Sequence, residues 1–283
     1  MSMSDDQESA PTGDRIEQAE RFRALHEGPE PLLLPNAWDG GSAKLLASMG
    51  FKAVATTSSG FAASIGRLDG TALDDEALTN AAAVVKGAGA VPVSADLENG
   101  YGDEPGQVKM TIMNALSVGL SGASIEDWSG GPDGQIYDQK LAAERVAAAA
   151  DMAHRGPVEM VLTARAENHL HGRGDLADTI ARLQAFQEAG ADVLYAPGLT
   201  KLDDIRSVVA SVDRPVNVLA LPGGPTVAEL AEAGVRRISV GGAFAFAAYG
   251  ALIEAARELL DEGTYGFWDR TKIGRAAVQE NFK

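Results

Sequence analysis

Residues 114–127 read Asn114-Ala-Leu-Ser-Val-Gly119-Leu-Ser-Gly-Ala-Ser-Ile-Glu-Asp127. The first half is the end of a helix. Gly119 suits the left-handed position that stops one, and Ala123-Ser-Ile-Glu-Asp127 is a short buried strand. The pattern recurs on both sides. Leu45-Leu-Ala-Ser-Met-Gly50 leads into Ala53-Val-Ala-Thr-Thr-Ser-Ser59, Phe186-Gln-Glu-Ala-Gly190 into Val193-Leu-Tyr-Ala-Pro197, and Leu230-Ala-Glu-Ala-Gly234 into Arg237-Ile-Ser-Val-Gly241. Repetition of helix, glycine and strand is the mark of a parallel β/α architecture.

Filling the gaps places strands near residues 32, 54, 92, 123, 160, 193, 216 and 237. Segments from Asp75 to Lys86, Pro105 to Ser117, Lys140 to His154 and Leu176 to Glu188 carry apolar residues at helical spacing. Eight β/α units fit a closed (β/α)8 TIM barrel. An open doubly wound sheet is the alternative, weakened because no G-x-G-x-x-G turn follows the first strand. Residues 1–13 are polar and aperiodic and read as a disordered tail. Residues 14–283 read as one barrel domain, beginning with a helix that Asp14 would cap and that carries Ile16, Ala19, Phe22 and Leu25. Beyond the eighth unit come an Ala-rich helix from Ala243 to about Leu260 and a last helix towards Phe282. Phe267 and Trp268 between them need a surface to cover, read here as a neighbouring subunit's.

The 283 residues include 40 acidic against 24 basic side chains, a formal net charge of −16. Nucleic acid and anionic membranes are therefore poor partners, because basic patches drive those contacts. The absence of cysteine excludes disulfides, thiolate ligands and a thiol nucleophile. With no signal peptide and no long apolar span in the sequence, the expected location is cytoplasmic.

Functional residues of such a barrel gather at the C-terminal strand ends. Those ends hold Asn36, Trp38 and Asp39; Thr57, Ser58, Ser59 and Gly60, with Asp69 in the next loop; Asp96 and Glu98; Glu126 and Asp127; Arg165 and Glu167; and Asn217. Asp96 and Glu98 are two apart on a strand and share a face, where two carboxylates repel unless a cation joins them. Asp69, Asp96, Glu98 and Glu126 form a hard-oxygen set of the kind Mg2+ or Mn2+ prefers. Arg165 can fork onto a carboxylate or phosphonate, and the Ser59-Gly60 backbone can donate to an anion. Strand-end acids also cap helices, and Arg165 can simply neutralise Glu167 or Glu126. Their concentration at one rim favours the functional reading.

These residues carry a resemblance. Over roughly residues 30–260 the chain resembles the isocitrate lyase/phosphoenolpyruvate mutase superfamily. The family's metal motif Asp-x-Asp-x-Gly-Tyr-Gly is met by Asp96-Leu-Glu98-Asn-Gly100-Tyr101-Gly102, with Glu for the second Asp. Its Ser-Gly-Leu loop is met by Ser59-Gly60-Phe61, its following Asp by Asp69, its Glu-Asp by Glu126-Asp127 and its Ala-Arg by Ala164-Arg165. The resemblance implies Mg2+-dependent chemistry on a small 2-oxo or 2-hydroxy (di)carboxylate through an enolate. Asp96, Glu98 and Glu126 would serve the metal, with Asp96 closest. Arg165, Asp69 and Tyr101 would be catalytic. Ser59, Gly60, Phe61, Asn217 and Trp38 would bind substrate. A homodimer or homotetramer with helix exchange is the implied assembly.

The chain also departs from that family. Its lyases carry a Lys-Lys/Arg-Cys-Gly-His loop after strand four, and its mutases and phosphonopyruvate hydrolases a loop lysine. Here the loop reads Trp128-Ser-Gly-Gly-Pro-Asp-Gly-Gln-Ile-Tyr137. The usual route to isocitrate or methylisocitrate cleavage is therefore not expected. The Gly-rich loop reads as a lid, with Tyr137 or Asp133 as candidate proton donors. The expected activity is carbon–carbon lysis. The alternatives are phosphonate processing and a barrel that binds an oxo acid without turning it over. His26 and His154 read as surface residues. His169 and His171 read as loop residues near the site, lacking a third nitrogen ligand for zinc.

Overall fold

The structure is a computed structural model that describes residues 12–131 and 133–282. The expected tail lies outside it as far as residue 11, and Thr12 and Gly13 already belong to the first helix, α1 (Thr12–Ala24). The strands are β1 (Leu32–Leu34), β2 (Asn36–Ala37), β3 (Val54–Thr56), β4 (Val93–Asp96), β5 (Gly122–Glu126), β6 (Val161–Arg165), β7 (Val193–Tyr195), β8 (Val216–Leu219) and β9 (Arg237–Ser239). Every pairing is parallel, in the order β1-β9-β8-β7-β6-β5-β4-β3-β2. The two ends of that order are halves of one strand interrupted at Pro35. β1 pairs with β9 and β2 with β3, which closes the sheet. The result is the expected (β/α)8 barrel of eight strands.

Around it lie α2 (Gly40–Ser48), α3 (Ser58–Ser64), α4 (Asp74–Ala88), α5 (Pro105–Ser117), α6 (Gln139–Ala153), α7 (Leu176–Glu188), α8 (Leu202–Ala210), α9 (Val227–Glu232), α10 (Ala243–Arg257) and α11 (Trp268–Asn281). The glycines that announced the repeat take the backbone they were read for: φ is 92° at Gly50, 91° at Gly119, 103° at Gly190 and 85° at Gly234. A side chain at those positions would be strained, so each helix stops there and the chain turns into a strand.

Two apolar layers hold the barrel. Between strands and helices, Ile125, Leu162 and Leu194 pack with Val108, Ile112, Val146 and Leu183. At the N-terminal end α1 acts as a plug, where Phe22 packs with Leu32, Leu34, Ala53, Ala55, Val161 and Val193. The plug needs Gly122, since a Cβ there would stand 2.5 Å from the Phe22 ring. Among the described residues no helix is long and apolar enough to cross a membrane.

His26, expected at the surface, is buried beneath this plug at 4% exposure. Its Nδ1 lies 2.8 Å from the Phe22 carbonyl and its ring meets Phe22 edge-on. His154 caps α6 with its Nε2 2.8 Å from Asp192. Burial, and after it the Arg237 charge, pushes His26 down from 6.5 to about 3. The unfolded chain binds a proton that the folded chain refuses, so stability falls as pH drops from about 6.5 towards 3. From about pH 7.5 to about pH 5.5 this group costs roughly 1.4 kcal/mol. Urea denaturation of wild type and His26→Gln should show the variant losing that much less stability over the interval. Equal losses would show that His26 titrates normally in the fold.

Candidate active site

The β4–α5 connection is built from strained backbone. Glu98 and Tyr101 adopt φ of 47° and 55°, a region that costs a non-glycine residue energy unless its surroundings compel it. The compulsion is a set of local bonds. Asn99 Oδ1 accepts from the Tyr101 N–H at 2.9 Å, Gly100 N–H donates to Leu97 O at 2.7 Å, and the buried Arg145 guanidinium donates to the carbonyls of Asn99, Gly102 and Asp103.

Arg165, at the end of β6, holds the rim together. Nη1 is 2.9 Å from Asp96 Oδ1, Nη2 is 3.1 Å from Glu126 Oε2 and Nε is 2.8 Å from Glu167 Oε1. Its guanidinium lies over the Tyr195 ring, 5.2 Å from the centroid. Asp96 is fixed on its other side by the Ser58 N–H at 3.3 Å and the Ser58 hydroxyl at 3.1 Å. Asp127 belongs to a second layer, where it accepts from Glu167 N and is paired with Arg182 at 3.0 Å.

A cavity of about 190 Å3 opens inside this rim. Asp69, Asp96, Arg165, Ser59 and Asn217 line it. Of the other expected site residues, Glu126 reaches it through Arg165. Phe61 faces another depression beside Ile65 and Glu76, and its N–H is spent on Thr57 O at 3.0 Å. The Gly60 N–H goes to Thr57 Oγ1 at 3.3 Å, and a Cβ on Gly60 would meet Trp38 Cβ at 3.2 Å, so Trp38 packs behind α3. Asn217 lines the cavity with both ends of its amide committed, Nδ2 to Ser239 Oγ at 3.0 Å and Oδ1 to Arg237 Nε at 2.9 Å. Arg237 and Tyr195, both lining the cavity, were not singled out from the sequence. Strand alternation was the available signal, because it puts Arg237 on the inward face with Ser239.

The loop read as a lid is a pinned hairpin. Trp128 and Ile136 form an antiparallel bridge, and Ser129 N–H donates to Gln135 O at 2.9 Å. Trp128 stacks on His171 with ring centroids 3.5 Å apart. The Tyr137 hydroxyl donates to Asp103 and accepts from Asn99 Nδ2 at 3.2 Å. Burial, then the Asp103 bond, pushes that phenol up to about 12. Tyr137 thereby ties the hairpin to the loop after β4, and Asp133 sits exposed at the hairpin turn.

The electrostatics show what the rim lacks. Asp69, Asp96, Glu98, Glu126 and Glu167 surround a single guanidinium. Burial, then the charges of Asp96 and Asp69, pushes Glu98 up to about 8. Glu126 is driven up by burial against the opposing pull of Arg165, and Asp69 by desolvation and then Asp96. Glu98 Oε1 is buried without a hydrogen-bond partner, as is the Tyr101 hydroxyl. Among the described residues no three His, Asp or Glu side chains converge closely enough to hold a cation directly. An orphaned carboxylate oxygen within an excess of acids still fits a hydrated Mg2+, which gives up its water reluctantly and takes few direct protein ligands.

A (β/α)8 barrel that gathers an acid rim, one clamped arginine and a small cavity at its C-terminal strand ends has the layout of an enzyme. Residues 22–260 match the family model described as phosphoenolpyruvate phosphomutase, and the chain belongs to the isocitrate lyase/phosphoenolpyruvate mutase superfamily, a group of lyases and mutases. It is similar to a protein of Burkholderia cenocepacia J2315 provisionally assigned as a lyase/mutase, with 50% identity, 95% of this chain and 96% of that chain covered, and a TM-score of 0.90. It is 34% identical over 245 residues to an uncharacterized protein of Mycobacterium tuberculosis, covering 85% of this chain and 89% of the relative. The crystal structure of 2,3-dimethylmalate lyase matches at 28% identity and a TM-score of 0.80, covering 93% and 97%.

Arg165→Met should strand one buried and two half-buried carboxylates, Glu167, Glu126 and Asp96, and cost about 3–5 kcal/mol, measured by urea denaturation in EDTA. The loss should shrink as pH falls, because Glu126, driven up by burial, takes a proton and is cheaper to bury neutral. A pH-independent loss would mean that Arg165 acts through packing alone.

Proposed function

We propose that this protein is a Mg2+-dependent carbon–carbon lyase acting on a small 2-oxo or 2-hydroxy (di)carboxylate through an enolate. The observation that carries the reading is the excess of rim carboxylates around Arg165 at the mouth of the cavity. Asp96, Glu98 and Glu126 would hold a hydrated Mg2+ largely through its water, with Asp69 outside them, and Mn2+ suits the same oxygens. When bound, the cation would withdraw charge from the substrate's carboxylate and 2-oxygen as the bond breaks.

The chain's own residues supply the rest. Arg165, fixed by three acids and the Tyr195 face, presents a rigid positive charge to the substrate. The Ser59 hydroxyl lines the wall and orients the acid. Tyr101, pushed up by burial and then by Glu98, keeps its proton and serves only as a hydrogen-bond donor. Decarboxylation of oxaloacetate is a simple case. Its C3–C4 bond breaks, the electron pair stays on the 2-oxo acid fragment as an enolate, and CO2 leaves. A proton then added at C3 gives pyruvate. Asp69, which lines the cavity and is shifted up by desolvation and then Asp96, would pass that proton.

A second reading, phosphonate processing, is supported by the description of the matching family model. The two part on product. Oxaloacetate, substituted malates, isocitrates and phosphonopyruvate would be incubated with Mg2+ or EDTA, and pyruvate, glyoxylate and phosphate measured. The lyase reading expects Mg2+-dependent pyruvate or glyoxylate, reduced at least about 100-fold in Asp96→Ala. Phosphate from phosphonopyruvate would support the second reading, and no product from any acid would leave a binding barrel.

α10 and α11 expose Phe246, Leu252, Ile253, Trp268 and Ile273. Covering them with a second copy would give a homodimer or homotetramer. Light scattering should report such an assembly, with Ile253→Glu shifting it towards monomer. A monomeric wild type would show that these faces stay in water.

A further inference from the structure

Below the acid rim the barrel interior holds a cation that has no counter-ion among the described residues. Arg237 is 4% exposed. Its Nε donates to Asn217 Oδ1 and its Nη1 to Thr163 Oγ1, each at 2.9 Å. A guanidinium carries five N–H donors, so these two bonds leave three without a protein acceptor. Among the described residues its bonded partners are a neutral amide and a neutral hydroxyl, and no carboxylate pairs with it. Burial is the main cause that pushes it down to about 10, so it stays charged at neutral pH. An unpaired charge in a barrel core is costly, and folding alone gives no reason to keep it.

The space around Arg237 is equally unusual. A barrel interior is normally filled by layers of bulky branched side chains. Here Ala55, Ser94 and Ser124 line the cavity on inward positions of β3, β4 and β5. These short side chains let the cavity continue down to Arg237, which lines its floor. The same cavity is bordered by Asp69 and Asp96 at its rim. It is therefore anionic at the mouth and cationic at the base, and a molecule bound in it is oriented end to end.

We propose that Arg237 is a specificity-determining residue that binds a second carboxylate of the substrate, held in place by Asn217 and Thr163 as positioning residues. This rests on the oxo-acid reading above and deepens it: the substrate is a dicarboxylate, its 2-oxo or 2-hydroxy acid end at the rim and its second carboxylate on the floor. The planar donor fork matches a carboxylate in two bonds. Asn217 thus acts through Arg237 rather than by touching the substrate.

The test compares malate with lactate, which share the 2-hydroxy acid end and differ in the second carboxylate, and adds inorganic phosphate as a third anion. Thermal unfolding of wild type, Arg237→Met and Arg237→Lys would be followed with Mg2+ present. Malate at about a hundredfold excess over its Kd should raise the wild-type Tm by about 5 °C, and lactate by less than half of that. Arg237→Met should reduce the malate response to the lactate level, and Arg237→Lys should keep part of it. Loss of the buried charge should leave the unliganded Tm equal or higher, so a lost response would not come from unfolding. Equal responses to malate and lactate in wild type, or an undiminished malate response in Arg237→Met, overturn the proposal. A phosphate response larger than that of malate and abolished in Arg237→Met overturns the assignment of the floor to a carboxylate. A response that behaves as expected, with no turnover of any acid, sinks the lyase reading and leaves the anion site standing. Turnover of dicarboxylates with unchanged KM in Arg237→Met sinks the role of Arg237 alone.

Discussion

The site depends on the contact of Arg165 with Asp96, Glu126 and Glu167. Three carboxylates at neighbouring strand ends would repel one another in a setting that hydrates them poorly. One guanidinium, with donors on three edges, ties the ends of β4, β5 and β6 into a fixed rim. The strained turn at Glu98 and Tyr101 is tolerable for a related reason. The buried Arg145 collects the carbonyls of Asn99, Gly102 and Asp103, so a second arginine braces the loop that follows Asp96.

That bracing also changes the character of the region after β5. Without the charged loop of the family's lyases, the chain makes a short hairpin whose Tyr137 is tied to Asp103 and Asn99. Trp128 and His171 lock the hairpin to the loop after β6. These contacts join the hairpin to the loops on either side of it.

Charge is arranged vertically in this barrel. The rim holds more acid than Arg165 can balance, and among the described residues no carboxylate pairs with Arg237 on the floor. Folding pays for neither imbalance, so both point to a ligand that would correct them: a cation above and an anion below. α1 seals the opposite end with Phe22 and buries His26 there in its neutral form.

Much of this was legible along the chain. The glycine-stopped helices announced eight units because only a residue tolerant of positive φ can end a helix that way. The rim acids and Arg165 were legible because parallel strands deliver their C-terminal residues to one edge. Three matters lay outside local pattern. The Gly-rich segment at 128–137 has the composition of a lid, and only the distant partners Asp103, Asn99 and His171 make it a wall. The Gly60 and Phe61 amides were offered to an anion, and the cap at Thr57 takes them. Arg237 resembled any charged residue beside a strand until closure of the barrel buried it across from Thr163. The sequence by itself determined the order of elements and the chemistry at their ends, because those follow from local backbone preference and period. Only the tertiary structure decided which charges are balanced, because that depends on which side chains meet across the closed sheet.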